Sequence, residues 1–205
     1  MTASLLFQSV LASLPEIVVV VGACALLILG QLLPKGQGYF LVWASVAIVL
    51  AAALATLLLA SEVRPAYSGM FVADRFAVFF KGVFYLATVL TFLVSQKYAE
   101  IEGIESSEYY VLLLFALSGM MIMASATDLL SIYVGLELMA LCTYVLTGFL
   151  RRERRSNEAA LKYVILGGAA TGIFLYGVSL VYGLTGTTSL DGMATAVANN
   201  AGDPG

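Results

Sequence analysis

Histidine is absent from these 205 residues, and cysteine occurs only twice, at Cys24 and Cys142. Both cysteines lie inside long apolar runs, which argues against a disulfide framework. Zinc, haem and iron–sulfur clusters depend on sets of imidazole or thiolate ligands, and the sequence offers no such set. We therefore predict that this chain has no metal site and holds no redox cofactor of its own.

Charge is also scarce, because only 11% of the residues are Asp, Glu, Lys or Arg, against about a quarter in soluble domains. The formal net charge of -3 provides no positive field that would attract a phosphate backbone, so nucleic acid is excluded as a partner. The chain is instead 61% hydrophobic, with a mean hydropathy of +0.97. These values indicate an integral membrane protein whose surroundings are the lipid bilayer.

Six apolar runs are long enough to cross the roughly 30 Å of a bilayer's hydrocarbon core. We predict an all-α integral membrane protein with about six transmembrane helices and no need for strands. Asp74 and Asp128 are expected to cap the third and fifth helices, since Asp is a preferred N-cap residue. Residues 1–184 form the transmembrane segment, and residues 185–205 form a polar tail that leads toward a seventh helix without containing it. The predicted helices cover about residues 15–33, 39–60, 74–98, 108–127, 128–150 and 156–183.

One carboxylate, Glu137, stands near the middle of the fifth predicted helix. At about 1.5 Å per residue it lies roughly 12 Å from one end and 20 Å from the other. Inserting an acid at this depth costs at least about 2.5 kcal/mol, so such residues usually mark ion pathways or proton relays. Tyr133 and Tyr144 share its face of the helix and are predicted to support it. The alternative is a protonated Glu137 that only hydrogen-bonds neighbouring helices.

Two lysines also lie well inside predicted helices. Lys162 is roughly 10 Å nearer the membrane surface than Glu137, so we predict a water-bridged relay between them rather than a direct ion pair. The alternative is a local pair with Glu158, one turn earlier. Lys81 in the third helix is a supporting candidate; we expect it to snorkel to the surface, the alternative being an ammonium directed into the bundle. Glu16 is interpreted as a terminal residue that complements the helix dipole.

Four arginines between residues 151 and 155 set the predicted orientation. By the positive-inside rule this short loop is cytoplasmic. Counting back through single spans places Lys35 and Lys97 on the same side and the N-terminus outside. We therefore expect a multi-pass protein of the cell inner membrane.

The stretch DLLSIYVGLELMALCTYVLTGF is followed, after a short basic loop, by EAALKYVILGGAATGIFLYGVSLVYGLTGTTSL. Together they resemble the proton-pumping, antiporter-like membrane subunits of NADH-quinone oxidoreductase (complex I), with subunit N as the nearest match. The resemblance extends to LPEIVVVVGACALLILG and MFVADRFAVFF and so covers nearly the whole chain. In that family a glutamate of the fifth helix is a key residue, which falls on Glu137, and the lysine of the ALKY motif falls on Lys162.

The resemblance implies proton translocation driven by quinone reduction elsewhere in a large complex. It implies other membrane subunits as partners, with NADH, quinone, FMN and iron–sulfur clusters bound by partner subunits. The chain would then be an enzyme only as part of a translocase, and the N-terminal part of a larger antiporter-like helical fold. Two alternatives stay open: a related subunit of a cation/proton antiporter or membrane-bound hydrogenase, and a non-transporting membrane scaffold.

Overall fold

The computed structural model describes residues 3–32, 38–60, 63–102 and 107–201. Its helices and strands follow one another in a simple order along the chain. They are α1 (Ala3–Ala12), α2 (Leu14–Leu32), α3 (Gly38–Leu59), β1 (Arg64–Ala66), β2 (Phe71–Ala73), α4 (Arg75–Glu102), α5 (Ser107–Ser125), α6 (Leu129–Thr147), α7 (Arg154–Thr185) and α8 (Leu190–Ala201).

Within the described ranges, the six helices from α2 to α7 are long and apolar enough to cross a membrane. The predicted class of all-α membrane protein with six spans is thereby confirmed. The two longest helices are longer than predicted, because α4 continues to Glu102 and α7 runs from Arg154 to Thr185. Long charged side chains at a helix end reach water at the membrane surface, so charge does not stop a helix there. Gly186, with φ of 69°, ends α7 in the left-handed conformation.

Helix α5 is the centre of the bundle. It packs against α2, α3 and α4 on one side and against α6 on the other, and α7 packs on the outer side of α6. Apolar side chains of α2, α3, α4 and α5 itself are fully buried where these helices meet. They are Val19, Val42, Val49, Phe92, Leu114, Leu117 and Met121. The order of helices therefore places α6 between a well-packed core and α7.

A short hairpin between α3 and α4 departs from the prediction that no strands are needed. Strands β1 and β2 pair antiparallel, and the 3₁₀ turn Tyr67–Gly69 joins them through three residues with positive φ. Strands of three residues are too short to show an alternating pattern, so the sequence resembled a loop. The hairpin is held in place because the Met70 carbonyl accepts a hydrogen bond from the Thr127 N–H at 3.1 Å. It therefore lies against the turn between α5 and α6.

The same turn is tied to the loop that follows α7. Asp128 accepts from the Leu130 N–H at 2.9 Å and from the Thr188 hydroxyl at 2.6 Å. Backbone bonds from Leu129 to Thr188 and from Leu190 to Thr127, each 3.0 Å long, complete the tie. The predicted capping role of Asp128 is confirmed.

The cap predicted for Asp74 is also present, because its Oδ1 accepts from the Ala77 N–H at 2.8 Å. The predicted polar tail contains α8, a helix of 12 residues. At about 1.5 Å per residue, α8 is too short to span the hydrocarbon core.

Candidate functional site

Glu137 lies on α6, about 12 Å along the helix from Leu129 at about 1.5 Å per residue. Its Oε1 atom is buried and has no hydrogen-bond partner among the described residues. A buried polar atom without a partner is costly, and in hydrocarbon no bulk water can supply one. Glu137 therefore has an unsatisfied acceptor at this depth.

Two glycines fix the position of this part of α6. A Cβ on Gly119 of α5 would lie 2.6 Å from the Gly135 carbonyl oxygen, and a Cβ on Gly135 would lie 2.8 Å from the Gly119 carbonyl oxygen. Glycine at both positions lets the two backbones touch, as small residues do between membrane helices. Because Gly135 is two residues before Glu137, this contact sets the height of the carboxyl group relative to α5.

The two tyrosines predicted to support the site both pack against α7. Tyr133 stacks on Phe174, with ring centres 6.3 Å apart and planes 11° apart, and Tyr144 meets Tyr163 edge-on at 4.8 Å. Gly167 leaves the space that the Tyr144 hydroxyl fills, because a Cβ at Gly167 would overlap it. The face of α6 that carries both tyrosines is thus held against α7.

The two aromatic pairs also set the register between α6 and α7. In this antiparallel register Glu137 is level with Ala170 and Thr171, so the sequence of α7 places no charge opposite the carboxyl group. The Thr171 hydroxyl donates to the Gly167 carbonyl of its own helix at 3.0 Å. Glu137 interacts electrostatically with Tyr144, two turns further along its own face.

Lys162 is not brought to Glu137. Its ammonium lies 2.6 Å from Oε1 of Glu158, and the two side chains are 70% and 57% exposed. The register places Lys162 level with Val145, about 12 Å along the axis from Glu137. The local pair, left open by the sequence as the alternative, is present in the structure.

The expectation that Lys81 snorkels to the surface is wrong. Its side chain is 2% exposed, and its ammonium lies 2.6 Å from Oε1 of Glu16, whose side chain is 7% exposed. The two opposite charges thus form a buried ion pair. The ammonium also lies 5.3 Å from the centre of the Phe71 ring, within cation–π range. Glu16 lies in the first turn of α2, as predicted, but it is buried there by the rest of the bundle.

A second buried polar contact lies next to this ion pair. Tyr85, one turn beyond Lys81, has its hydroxyl 2.8 Å from that of Thr56 on α3. Because the Thr56 hydroxyl donates to the Ala52 carbonyl at 2.9 Å, Tyr85 is left as the donor between the two hydroxyls. Tyr85 also interacts electrostatically with Glu16.

A cavity of about 500 Å³ lies between α2, the hairpin, α5 and α6. Glu16 contributes to its wall, and Oε2 of Glu16 is buried without a hydrogen-bond partner among the described residues. Three hydroxyl side chains also line it, those of Ser13, Tyr67 and Ser131. The rest of the wall is apolar and includes Val20, Phe71, Ile122, Leu130 and Val134.

In the part of the chain that the structure describes, no three His, Cys, Asp or Glu side chains are close enough together to hold a metal ion. The residue that the sequence interpretation missed is Glu16. A usable signal existed, because Lys81 is a cation inside an uncharged run and needs a counter-charge. One span, α3, lies between α2 and α4, so α2 and α4 run in the same direction and both start at the same end of the bundle.

The sequence of this chain matches a family model and several known membrane proteins. A family model described as "NADH:quinone oxidoreductase/Mrp antiporter, TM" matches residues 126–204, which include Glu137 and Lys162. NADH-quinone oxidoreductase subunit N 2 of Rhizobium meliloti (strain 1021) is 76% identical over 204 residues, which is 100% of this chain and 43% of the relative. The chain belongs to the family of antiporter-like complex I membrane subunits. The predicted resemblance is therefore confirmed.

Other members of the family match over a similar share of their length. Subunit N 1 of Koribacter versatilis (strain Ellin345) is 44% identical over 94% of this chain and 40% of the relative. The chain thus spans less than half the length of the curated relatives it matches, and the match with the Rhizobium relative falls on its N-terminal part.

Solved structures share the helix arrangement. A chain of respiratory complex I from Thermus thermophilus with bound aureothin superimposes with a TM-score of 0.71 at 31% identity, covering 86% of this chain and 38% of that one. A chain of the membrane-bound sulfane sulfur reductase, an archaeal respiratory membrane complex, gives a TM-score of 0.70 at 26% identity, covering 92% and 39%. The predicted antiporter-like helical fold is confirmed by these two likenesses.

Proposed function

We propose that this chain provides six spans of a proton-translocating membrane subunit of NADH-quinone oxidoreductase. In this role it couples quinone reduction, carried out elsewhere in the complex, to proton movement through the membrane. Its relatives carry the name of that enzyme's subunit N, and one of the matched structures is a respiratory complex I. NADH, FMN, iron–sulfur clusters and quinone belong to partner subunits under this proposal.

Glu137 carries the proposal. It combines mid-membrane depth with a buried oxygen that has no partner among the described residues, and the glycine contact with α5 fixes its position. A static carboxyl group that served only to pack helices would be expected to hold hydrogen bonds to them, since buried polar atoms are normally satisfied. A carboxyl group that passes protons needs a vacant acceptor, which Oε1 provides.

Lys162 is proposed as the second relay residue, nearer the surface at the arginine end of α7. The axial separation of about 12 Å from Glu137 requires water between them, because neither side chain is long enough to bridge it. Tyr133 and Tyr144 hold α6 against α7 beside the carboxyl group. Lys81, also predicted as a supporting residue, has Glu16 as its partner and lies outside this relay.

The proposed location is the cell inner membrane, with the N-terminus outside. The four arginines at residues 151–155, which cover the end of the loop after α6 and the start of α7, then lie in the cytoplasm together with Lys97. The other membrane subunits of the respiratory complex and the lipid bilayer are the proposed partners. Large apolar side chains along α7, such as Leu166, Ile173 and Leu184, are exposed on this chain alone and fit such surroundings.

The test is Glu137→Gln, which keeps the size of the side chain and removes its exchangeable proton. Inverted membrane vesicles are assayed for NADH oxidation and for acidification with a pH-sensitive dye, and a blot measures the assembled complex. We expect proton pumping and coupled quinone reduction to fall together while assembly is kept. Glu153→Gln, in the exposed loop, is the matched control. Normal pumping per NADH in Glu137→Gln would leave the scaffold role in place of the relay.

A related cation/proton antiporter subunit is the second candidate function. The family model that matches this chain covers Mrp antiporters as well, and its description does not separate the two. The same vesicles distinguish them, because a sodium-coupled protein would need added Na⁺ for dye acidification and would respond to a sodium ionophore. Acidification that requires NADH and ignores Na⁺ supports the complex I role.

A further inference from the structure

The buried pair of Glu16 and Lys81 occupies a part of the bundle that the Glu137 relay does not use. We propose that Glu16 is a second proton-exchanging group, which communicates with the hairpin surface through the adjacent cavity and has Lys81 as its counter-charge. This inference rests on the proposed role of the protein in proton translocation. It adds a site at the opposite end of the bundle from the arginine loop.

Only one of the two carboxyl oxygens of Glu16 takes part in the ion pair. Lys81 contacts Oε1, whereas Oε2 is buried and has no hydrogen-bond partner among the described residues. Glu16 itself lines the cavity. A pair that served only to join helices would be stable with its remaining acceptor satisfied, since buried pairs depend on such extra hydrogen bonds. The free Oε2 is therefore the atom on which a proton can arrive.

Hydroxyl groups line the cavity beside Glu16, and one of them reaches the surface. Ser13, one turn before Glu16, has its Oγ 2.8 Å from the Tyr67 hydroxyl, and Tyr67 is 43% exposed. Both residues line the cavity beside Glu16, as does Ser131. A water in this part of the cavity can use the hydroxyls of Ser13 and Tyr67 as partners, and buried waters make two to four such polar contacts. A proton can pass from solvent to Tyr67, to Ser13 and then through such a water to Glu16.

The charges around Glu16 allow it to exchange a proton without losing the fold. The titratable groups that the structure brings to it are Lys81 and Tyr85 of α4 and Tyr67 of the hairpin. When Oε2 takes the proton, attraction between Glu16 and Lys81 weakens, and the Phe71 ring remains under the ammonium. When the proton leaves, the full ion pair re-forms.

The first test is chemical and does not depend on pumping. Dicyclohexylcarbodiimide reacts with protonated carboxyl groups in apolar surroundings: the acid proton moves to a carbodiimide nitrogen, and the carboxylate oxygen bonds the central carbon. The adduct rearranges to a stable N-acylurea without a leaving group. Mass spectrometry of treated membranes should find this adduct on Glu16, in amounts that increase as pH falls and increase again in Lys81→Met. Absence of the adduct at every pH tested would overturn the proposal.

The second test separates proton exchange from helix packing. Either single change leaves a buried charge unpaired, so the double variant Glu16→Gln with Lys81→Met is used, because removing both charges is tolerated far better. Lys97→Met with Glu102→Gln, two exposed positions on α4, is the matched control. We expect the double variant to assemble and lose most of its proton pumping per NADH, while the control pumps normally. Normal pumping by the double variant would make the pair structural and overturn the proposal.

The experiments distinguish a failure of the proposed function from a failure of the proposed second site. If Glu137→Gln pumps normally, the proposed function is wrong, whatever happens at Glu16. If Glu137→Gln stops pumping but the double variant does not, translocation stands and the second site is wrong. The carbodiimide adduct on Glu16 reports directly on the carboxyl group in either case.

Discussion

Gly135 of α6 and Gly119 of α5 bring two membrane helices into backbone contact, with a Cβ on Gly135 only 2.8 Å from the Gly119 carbonyl oxygen. An added methyl group at either position must push α6 away from α5. We expect Gly135→Ala to destabilise the protein by about 1–3 kcal/mol, the usual cost of overpacking a core. Thermal denaturation of the detergent-solubilised protein measures this as a lowered midpoint.

Gly168→Ala and Gly172→Ala on α7 are the controls, because a Cβ at either position meets open space. Alanine favours helix more than glycine does, so neither change should lower the midpoint. Equal losses at all of these glycines would show that helix flexibility, and not the contact between α5 and α6, matters.

The sequence was enough to predict the features that follow from the residue types of a single segment. Uncharged runs predicted the spans, and the caps at Asp74 and Asp128 followed from residue type alone. The prediction for Lys81 failed, because the sequence of one helix shows that a cation lies inside it but does not show which acid on another helix pairs with it. Glu16 looked like a residue at a helix end, and only the packing of the bundle reveals that this end is covered.

The candidate site was also predictable only in part. The depth of Glu137 and the face it shares with Tyr133 and Tyr144 could be derived from helix geometry. The contacts of those tyrosines with α7 depend on the register between two helices, which short-range patterns do not encode. Gly167 is an example, since its role is to make room for Tyr144 across the interface.

Asp128 should have two separable effects on stability. Asp128→Ala removes the cap of α6 and the acceptor for Thr188, whereas Thr188→Val removes only the second contact. Loss of an N-cap costs about 0.5–2 kcal/mol, so Asp128→Ala should lower the thermal midpoint more than Thr188→Val does. Asp128→Asn keeps an acceptor for Leu130 and should fall between them. Equal midpoints for the alanine and asparagine variants would show that the cap contributes nothing.

The orientation can be tested with single cysteines at exposed positions on opposite sides. In a background with Cys24→Ser and Cys142→Ala, Val63→Cys lies before the hairpin and Glu153→Cys lies in the arginine loop. A membrane-impermeant maleimide should label the first only from outside the cell membrane and the second only in inverted vesicles. Each variant is the control for the other, and the reverse pattern would place the N-terminus in the cytoplasm.

Lys162 is the residue for which structure and family resemblance favour different roles. Its exposed pair with Glu158 is of the kind that contributes only about 0.3–0.5 kcal/mol to a helix, so breaking the pair alone should have little effect. If Lys162 passes protons toward Glu137, its ammonium matters and its partner does not. We therefore expect Lys162→Ala to lower proton pumping per NADH and Glu158→Gln to leave it nearly unchanged.

The comparison requires both variants in assembled complexes, assayed in the same inverted vesicles with the pH-sensitive dye. Leu161→Ala, at an exposed neighbouring position on α7, controls for the loss of side-chain volume. A decrease shared by Lys162→Ala and Glu158→Gln would mean that the pair itself is needed, as in a structural role. Normal pumping in Lys162→Ala would remove this lysine from the relay and leave Glu137 to receive its protons by a route through water alone.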